Sequence, residues 1–228
     1  MAEGTKLALK LQLVTAQRKG EVVSAAWEEV DLVEGWWTIP GHTSKNALPH
    51  RVPLSPLAIE PFQAANVFSG DSPWIFPSPQ GNQHITPKAV DHALRRPGLE
   101  TLGFSFVPHD LRRTAVSNIA SLGFGALVGK VLNHKERGVT AVYDRHSYDQ
   151  EKRQALEAWG RRLKARSCLL PPAARECRRA KRQGGRCYSV LIFSSAALCS
   201  FLDSPWAGFL PMSQAGFIGY SFGSKMTQ

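Results

Sequence analysis

Three short β-prone segments crowd into residues 29–54, while the rest of the first 165 residues is punctuated like helix. Glu29-Val30-Asp31-Leu32-Val33 and Trp36-Trp37-Thr38-Ile39 are rich in β-branched and aromatic residues and meet through Glu34-Gly35; His50-Arg51-Val52-Pro53-Leu54 follows after a polar link. This predicts a single three-stranded antiparallel sheet, with Ser44-Lys45-Asn46 as the loop between its second and third strands and Lys45 at the exposed tip. One small sheet in a mainly α-helical chain defines an α+β fold class.

The helical segments are marked by composition and by their ends. Leu7, Leu9, Leu11 and Leu13 form an ambiguous alternation, but Lys10, Gln12 and the helix formers around them favour a helix running toward Arg18. Apolar residues resume over Glu21–Ala26, so the opening reads as helix, turn, helix. Pro56 suits the first turn of a helix over Ser55–Phe68, and Ser69–Gly81, with three prolines and two glycines, reads as loop. Thr86-Pro87 starts a helix that runs to Arg95 and is ended by Pro97 and Gly98. Helices are also predicted over Asp110–Leu122, stopped by Gly123, and over Phe124–Leu132. A short segment follows at Thr140–Tyr148. Asp149–Lys164 then reads as amphipathic, with Ala155, Leu156, Trp159 and Leu163 on one side.

Composition breaks near residue 165. The chain of 228 residues is 43% apolar, enough for a core, and its net charge of +10 favours a polyanionic partner. Residues 166–228 hold eight Lys or Arg against two Asp or Glu, so six of those ten charges lie there. All four cysteines, Cys168, Cys177, Cys187 and Cys199, also fall in this tail. Their spacings of nine, ten and twelve fit no short-loop zinc pattern, and nothing argues for disulfides without a secretory leader. No metal is therefore expected. The expected division is a domain at 1–165 and a basic tail at 166–228 of unassigned fold, disordered or appended by read-through. Its Arg175–Arg186 patch is read as a solvated charge run ahead of a phosphate contact.

The N-terminus shows no targeting signal, and the apolar run Tyr188–Leu202 is shorter than the ~20 residues of a membrane span. The expectation is a soluble, cytoplasmic protein with no membrane partner.

The chemistry-bearing residues come in a fixed order. His109 and Arg112 lie one helical turn apart in His109-Asp110-Leu111-Arg112-Arg113-Thr114, so both face one way and can meet one phosphate. Leu132-Asn133-His134 and Val142-Tyr143-Asp144-Arg145-His146 follow, with His134 22 positions after Arg112 and nine before Tyr143. Earlier stand Thr15-Ala16-Gln17-Arg18-Lys19-Gly20-Glu21-Val22 and the Lys45 loop. Singly, each of these residues is more often a solvated charge, a loop tip or a helix-end histidine; their joint occurrence decides the reading.

In order and spacing this set, spanning about residues 5–163, resembles the catalytic domain of a tyrosine recombinase of the phage-type integrase family. The resemblance implies the DNA breaking-rejoining fold and site-specific recombination, the integration or excision of a mobile element, through a 3′-phosphotyrosyl intermediate. Arg18 and Arg112 would stabilise the charge on the phosphoryl oxygens, Lys45 would protonate the leaving 5′-oxygen, and His109 would accept a proton or hydrogen bond. His134 would donate a hydrogen bond in the transition state, and Glu21 would orient the arginine and histidine network. Tyr143 would be the nucleophile, favoured over Tyr148, which stands 14 positions after His134 and suits a packing role. Arg113 and Arg145 are candidates for flanking phosphates or for ordinary ion pairs. Trp27, Trp36, Trp37, Trp74 and Trp159 are expected to pack the core and hairpin.

No cofactor is implied. The partner is double-stranded DNA, bound by a homotetramer, with a monomer in solution compatible. Relatives of full length also carry an N-terminal core-binding domain, and this chain opens almost at the Arg18 motif, so a truncated integrase is expected. Two alternatives stay open: a noncatalytic DNA-binding remnant, and nicking and relaxation alone in the manner of a type IB topoisomerase.

Overall fold

The computed structural model describes residues 1–81, 83–95, 106–135 and 146–168. Tyr143, Arg145 and the tail beyond Cys168, with its cysteines and basic patch, lie outside the described residues.

The first helix, α1 (Glu3–Thr15), is the centre of the fold. Leu7, Ala8, Leu9, Leu11, Leu13 and Val14 are all buried, so the helix is covered round most of its surface, leaving a narrow strip of Glu3, Lys6 and Lys10 toward solvent. An alternation of leucines carries no strand signal in such a helix, because neighbours cover most of each turn. Ala16 takes a left-handed φ of +59° and ends it, and α2 (Lys19–Val23) follows after two residues. A 3₁₀ turn at Trp27–Glu29 leads into the sheet.

Strands β1 (Val30–Asp31), β2 (Trp36–Ile39) and β3 (His50–Pro53) form one antiparallel sheet in sequence order. The first strand is shorter than the sequence suggests, since Glu29 belongs to the 3₁₀ turn and Leu32–Gly35 form the turn between β1 and β2. Register places Val30 opposite Trp37, Trp37 opposite Val52 and Ile39 opposite His50. Trp37, Ile39 and Val52 thus point into the core by simple alternation.

Helix α3 (Pro56–Ser69) packs on α1 through Ala58, Phe62 and Ala65, and Phe62 meets Trp37 edge to face. Helix α4 (Pro87–Leu94) starts at a true side-chain cap, the Thr86 hydroxyl accepting from the Ala89 amide. Helix α5 (Pro108–Ile119) lays Leu111, Ala115 and Ile119 into the core. Its path continues through a wide turn at 120–124, where Gly123 has φ +96°, and a 3₁₀ turn to α6 (Val128–Val131). The stretch Pro108–Val131 has the length and apolarity of a membrane span. The break at Gly123 divides it, however, and its first half packs on α1.

The last described helix, α7 (Asp149–Cys168), runs four residues beyond the predicted Lys164. Ala155, Leu156, Trp159 and Leu163 are buried as the pattern requires, and the Trp159 indole donates to the Leu13 carbonyl at 3.0 Å. At its start, Asp149 pairs with Arg51 at 2.9 Å and Lys152 donates to the Arg51 carbonyl at 3.0 Å. The Trp36 ring is flanked by the guanidiniums of Arg51 and Arg153 at 4.2 and 4.6 Å. Helix α7 therefore clasps both the sheet and α1, so the hairpin and the helical core hold a fixed relation.

Candidate active site

The site is built around the end of a four-residue helix. An α-helix leaves its last carbonyls without intrahelical donors, and at the end of α6 three consecutive ones are taken by side chains from distant parts of the chain. The Val131 carbonyl accepts from Gln17 Nε2 at 3.0 Å and from His50 Nε2 at 3.1 Å. The Leu132 carbonyl accepts from Arg112 at 2.6 Å. The Asn133 carbonyl accepts from Arg18 at 3.3 Å and from the Asn46 side-chain amide. Asn133 itself adopts φ +50°, a left-handed conformation that asparagine tolerates well, and this turn lets the His134 amide return to the Gly129 carbonyl at 2.9 Å.

The turn fixes the cations. Arg112 is buried, and its other terminal nitrogen donates to the Ala16 carbonyl at 2.6 Å, at the left-handed end of α1. Burial, then the charge of Arg18, lowers its pKa to about 10 against the opposing pull of Glu21, so it stays a cation at neutral pH. Arg18 is held by the buried Glu21 carboxylate at 2.7 Å, and the second oxygen of Glu21 accepts the Arg18 amide at 3.1 Å. Glu21 thus starts α2 and aims its neighbouring arginine at once.

An open cleft of ≈ 600 Å³ lies over these groups, lined by Arg18, Lys45, His109, Arg112 and His134, with Lys19, Asp91 and the start of α5 at Val107–Pro108 on its walls. Five of the six residues singled out for catalysis therefore share one cavity although they span residues 18–134. Lys45, His109 and His134 are exposed in it, as groups that meet a ligand must be. Partial burial, then the charges of Arg112 and Arg18, hold His134 below its ordinary pKa, which favours the neutral imidazole with one N–H to donate. Gln12 ties α1 to the start of α5, donating to the Pro108 carbonyl at 2.9 Å.

Other sequence candidates fall elsewhere. Arg113 is exposed and paired with Asp110 at 3.2 Å, outside the lining of the cleft. Tyr148 is half-buried, its ring under the Lys130 ammonium at 4.6 Å and edge to face with His146. It does not line the cleft. Trp37 and Trp159 fill the core, and the Trp27 indole donates to Ser69 at 3.2 Å.

Several residues of the site carry no advance signal in the sequence. His50 lies on β3 as an ordinary strand residue, yet it is buried beneath the site, and burial followed by the charges of Lys152, Arg112 and Arg18 pulls its pKa down to about 4. Lys19 and Asp91 pair across α2 and α4 at 2.6 Å on the cleft wall. Asn46 and Asn133 stand beside Lys45 and His134 in the motifs themselves, but their value is in bonds made across 87 positions of chain.

Comparison with known proteins places the chain in a family. Residues 2–150 match the model of the phage integrase family. The chain is 32% identical over 164 residues to the prophage integrase IntA of Escherichia coli K12, covering 71% of this chain and 39% of that protein. It is 28% identical over 171 residues to the integrase of Enterobacteria phage P4, covering 68% and 39%. A crystal structure of XerA recombinase superimposes with a TM-score of 0.47 at 18% identity, over 65% of this chain and 62% of that one. The chain belongs to the phage integrase family. It spans about two fifths of the length of the curated relatives it matches.

Proposed function

We propose that this chain carries the strand-cleavage centre of a site-specific recombinase, which breaks and rejoins double-stranded DNA during integration or excision of a mobile element. The observation that carries the reading is the cleft itself, where two fixed guanidiniums, an exposed ammonium and two exposed imidazoles surround a space open to a phosphodiester. The catalytic unit is residues 1–165, acting in the cytoplasm.

In this mechanism the Tyr143 phenol oxygen attacks phosphorus, and the bond from phosphorus to the 5′-oxygen breaks. His109 takes the phenolic proton or hydrogen-bonds the phenol, while Lys45 gives a proton to the departing oxygen, because a free alkoxide is a poor leaving group. Arg112 spends two of its N–H donors on carbonyls and Arg18 is held by Glu21, so both guanidiniums meet the developing phosphoryl charge already oriented. His134 donates to a non-bridging oxygen. The phosphotyrosyl bond keeps the energy of the broken one, so a second 5′-hydroxyl reverses the same steps and rejoins the strand. Coordinated exchange of four strands calls for four copies on DNA.

A nicked suicide duplex, which loses its 5′-hydroxyl fragment on cleavage, tests this. The chain is expected to form a covalent adduct that Tyr143→Phe abolishes and Tyr148→Phe retains. Supercoil relaxation with no exchange between duplexes would favour the topoisomerase-like alternative, and DNA binding with no adduct would favour a noncatalytic one.

A further inference from the structure

We propose that Asn133 is a positioning residue for Lys45, latching the hairpin loop so that the lysine is presented to the scissile phosphate. The inference rests on the reading of Lys45 as the proton donor.

The loop joining β2 to β3 covers ten residues, 40–49, and Lys45 near its middle is exposed, with no ion-pair partner among the described residues. Such a side chain reaches one point in space only if the backbone beneath it is held, because an untethered loop spreads its tip over many positions. Both residues flanking the lysine are held, and by the same partner. The Asn133 side-chain amide donates to the hydroxyl of Ser44, which is buried, at 3.0 Å. On the other flank the Asn46 side-chain amide donates to the Asn133 carbonyl. The Ser44 hydroxyl also takes the Asn46 main-chain amide at 3.4 Å, closing a small ring beneath Lys45.

Asn133 has two other attachments to the site. Its carbonyl accepts from Arg18, and the residue directly precedes His134. The latch therefore sets the ammonium relative to an arginine and a histidine that face the same phosphate. Asparagine meets both demands of the position: it accepts φ +50° and it supplies an amide that reaches Ser44. Glycine meets only the first, so Asn133→Gly removes the side-chain half of the latch, the bond to Ser44, without straining the turn, while the main-chain carbonyl still accepts from Asn46.

The test compares single-turnover cleavage of two suicide duplexes by the full chain. One has the natural 5′-oxygen at the scissile bond, and the other has sulfur there, whose thiolate leaves without a proton. Asn133→Gly and Ser44→Ala are expected to slow the oxygen substrate roughly 10- to 100-fold, the scale of a small misplacement of a catalytic group. On the sulfur substrate both are expected to return to near the wild-type rate. Lys45→Ala should show the same rescue from a deeper loss of roughly 10²- to 10⁴-fold. Amide hydrogen exchange over residues 43–47 should accelerate in Asn133→Gly while α1 and α5 are unchanged.

A wild-type rate on oxygen, a defect that persists on sulfur, or unchanged exchange in the loop would each overturn the latch. If Lys45→Ala is itself not rescued, the assignment of the proton donor fails. If Lys45→Ala is rescued and Asn133→Gly is not, the latch alone fails. No adduct from wild type on either substrate would overturn the proposed function and this inference with it.

Discussion

At Arg112 a single guanidinium closes two main-chain carbonyls, those of Ala16 and Leu132, and still faces the cleft. Arg112→Lys keeps the charge but loses the planar fork that makes both bonds. Cleavage of the suicide duplex by this variant is expected to fall roughly 10²- to 10³-fold, and unfolding by urea to show a loss of about 2 kcal/mol. A wild-type rate in Arg112→Lys would mean that the fork has no part in the reaction. His50 supports the same turn from below and gives the molecule a pH dependence. An unfolded histidine titrates near 6.5 and the folded His50 near about 4, so in that window the unfolded chain takes up a proton that the folded one refuses. Its contribution is therefore complete above about pH 6.5 and is lost as pH falls toward 4, a change of about 3 kcal/mol at 1.36 kcal/mol per unit. His50→Gln, which keeps an N–H for the Val131 carbonyl, is expected to flatten the stability profile across that range in urea titrations at pH 7 and 4.5. An equally steep profile in the variant would place the acid sensitivity elsewhere.

Among the elements, the run from α5 to α6 is where backbone geometry matters most. Gly123 takes φ +96° with open space where a side chain would stand, so Gly123→Ala tests conformation without steric conflict. The expected cost is about 1–2 kcal/mol, read as a lower urea midpoint with unchanged slope. A neutral substitution would show that the break between α5 and α6 does not depend on glycine. That break was legible from the sequence as a glycine stop, as were the Thr86-Pro87 start of α4 and the inward stripe of α7, because each is set by local rules of capping and period. The leucine alternation of α1 was ambiguous since most of the helix surface is buried and only a narrow strip, Glu3, Lys6 and Lys10, is polar. β1 shortened because Glu29 lies inside a 3₁₀ turn, Trp27–Glu29, whose Trp27 amide is tied to the Pro73 carbonyl, a contact between loops that no local pattern announces. The site divides in the same way. Arg18, His109, Arg112 and His134 could be named from motif order, whereas His50 and the Asn133 latch act through bonds spanning 81 to 89 positions and emerge only once the chain is folded.

For the whole molecule, α1 is the frame on which the cleft is assembled. It contacts α2, α3, α4, α5 and α7, and its left-handed end at Ala16 hands one carbonyl to Arg112 while leading directly to Arg18. The hairpin comes to the site as a unit because α7 grips β3 through Asp149 and Lys152, leaving the Lys45 loop to be set by Asn133. Positive groups on the cleft wall are balanced only in part, by Glu21 on Arg18 and Asp91 on Lys19, which suits a surface that takes up a polyanion. The central claim is that this assembled cleft directs one tyrosine at one phosphate. It is tested most directly by digesting the covalent adduct formed on the suicide duplex and locating the nucleotide-bearing residue by mass spectrometry. The account predicts a single modified peptide with a 3′-phosphate joined to Tyr143; attachment to Tyr148 or to a serine, or the absence of any adduct at saturating DNA, would contradict it.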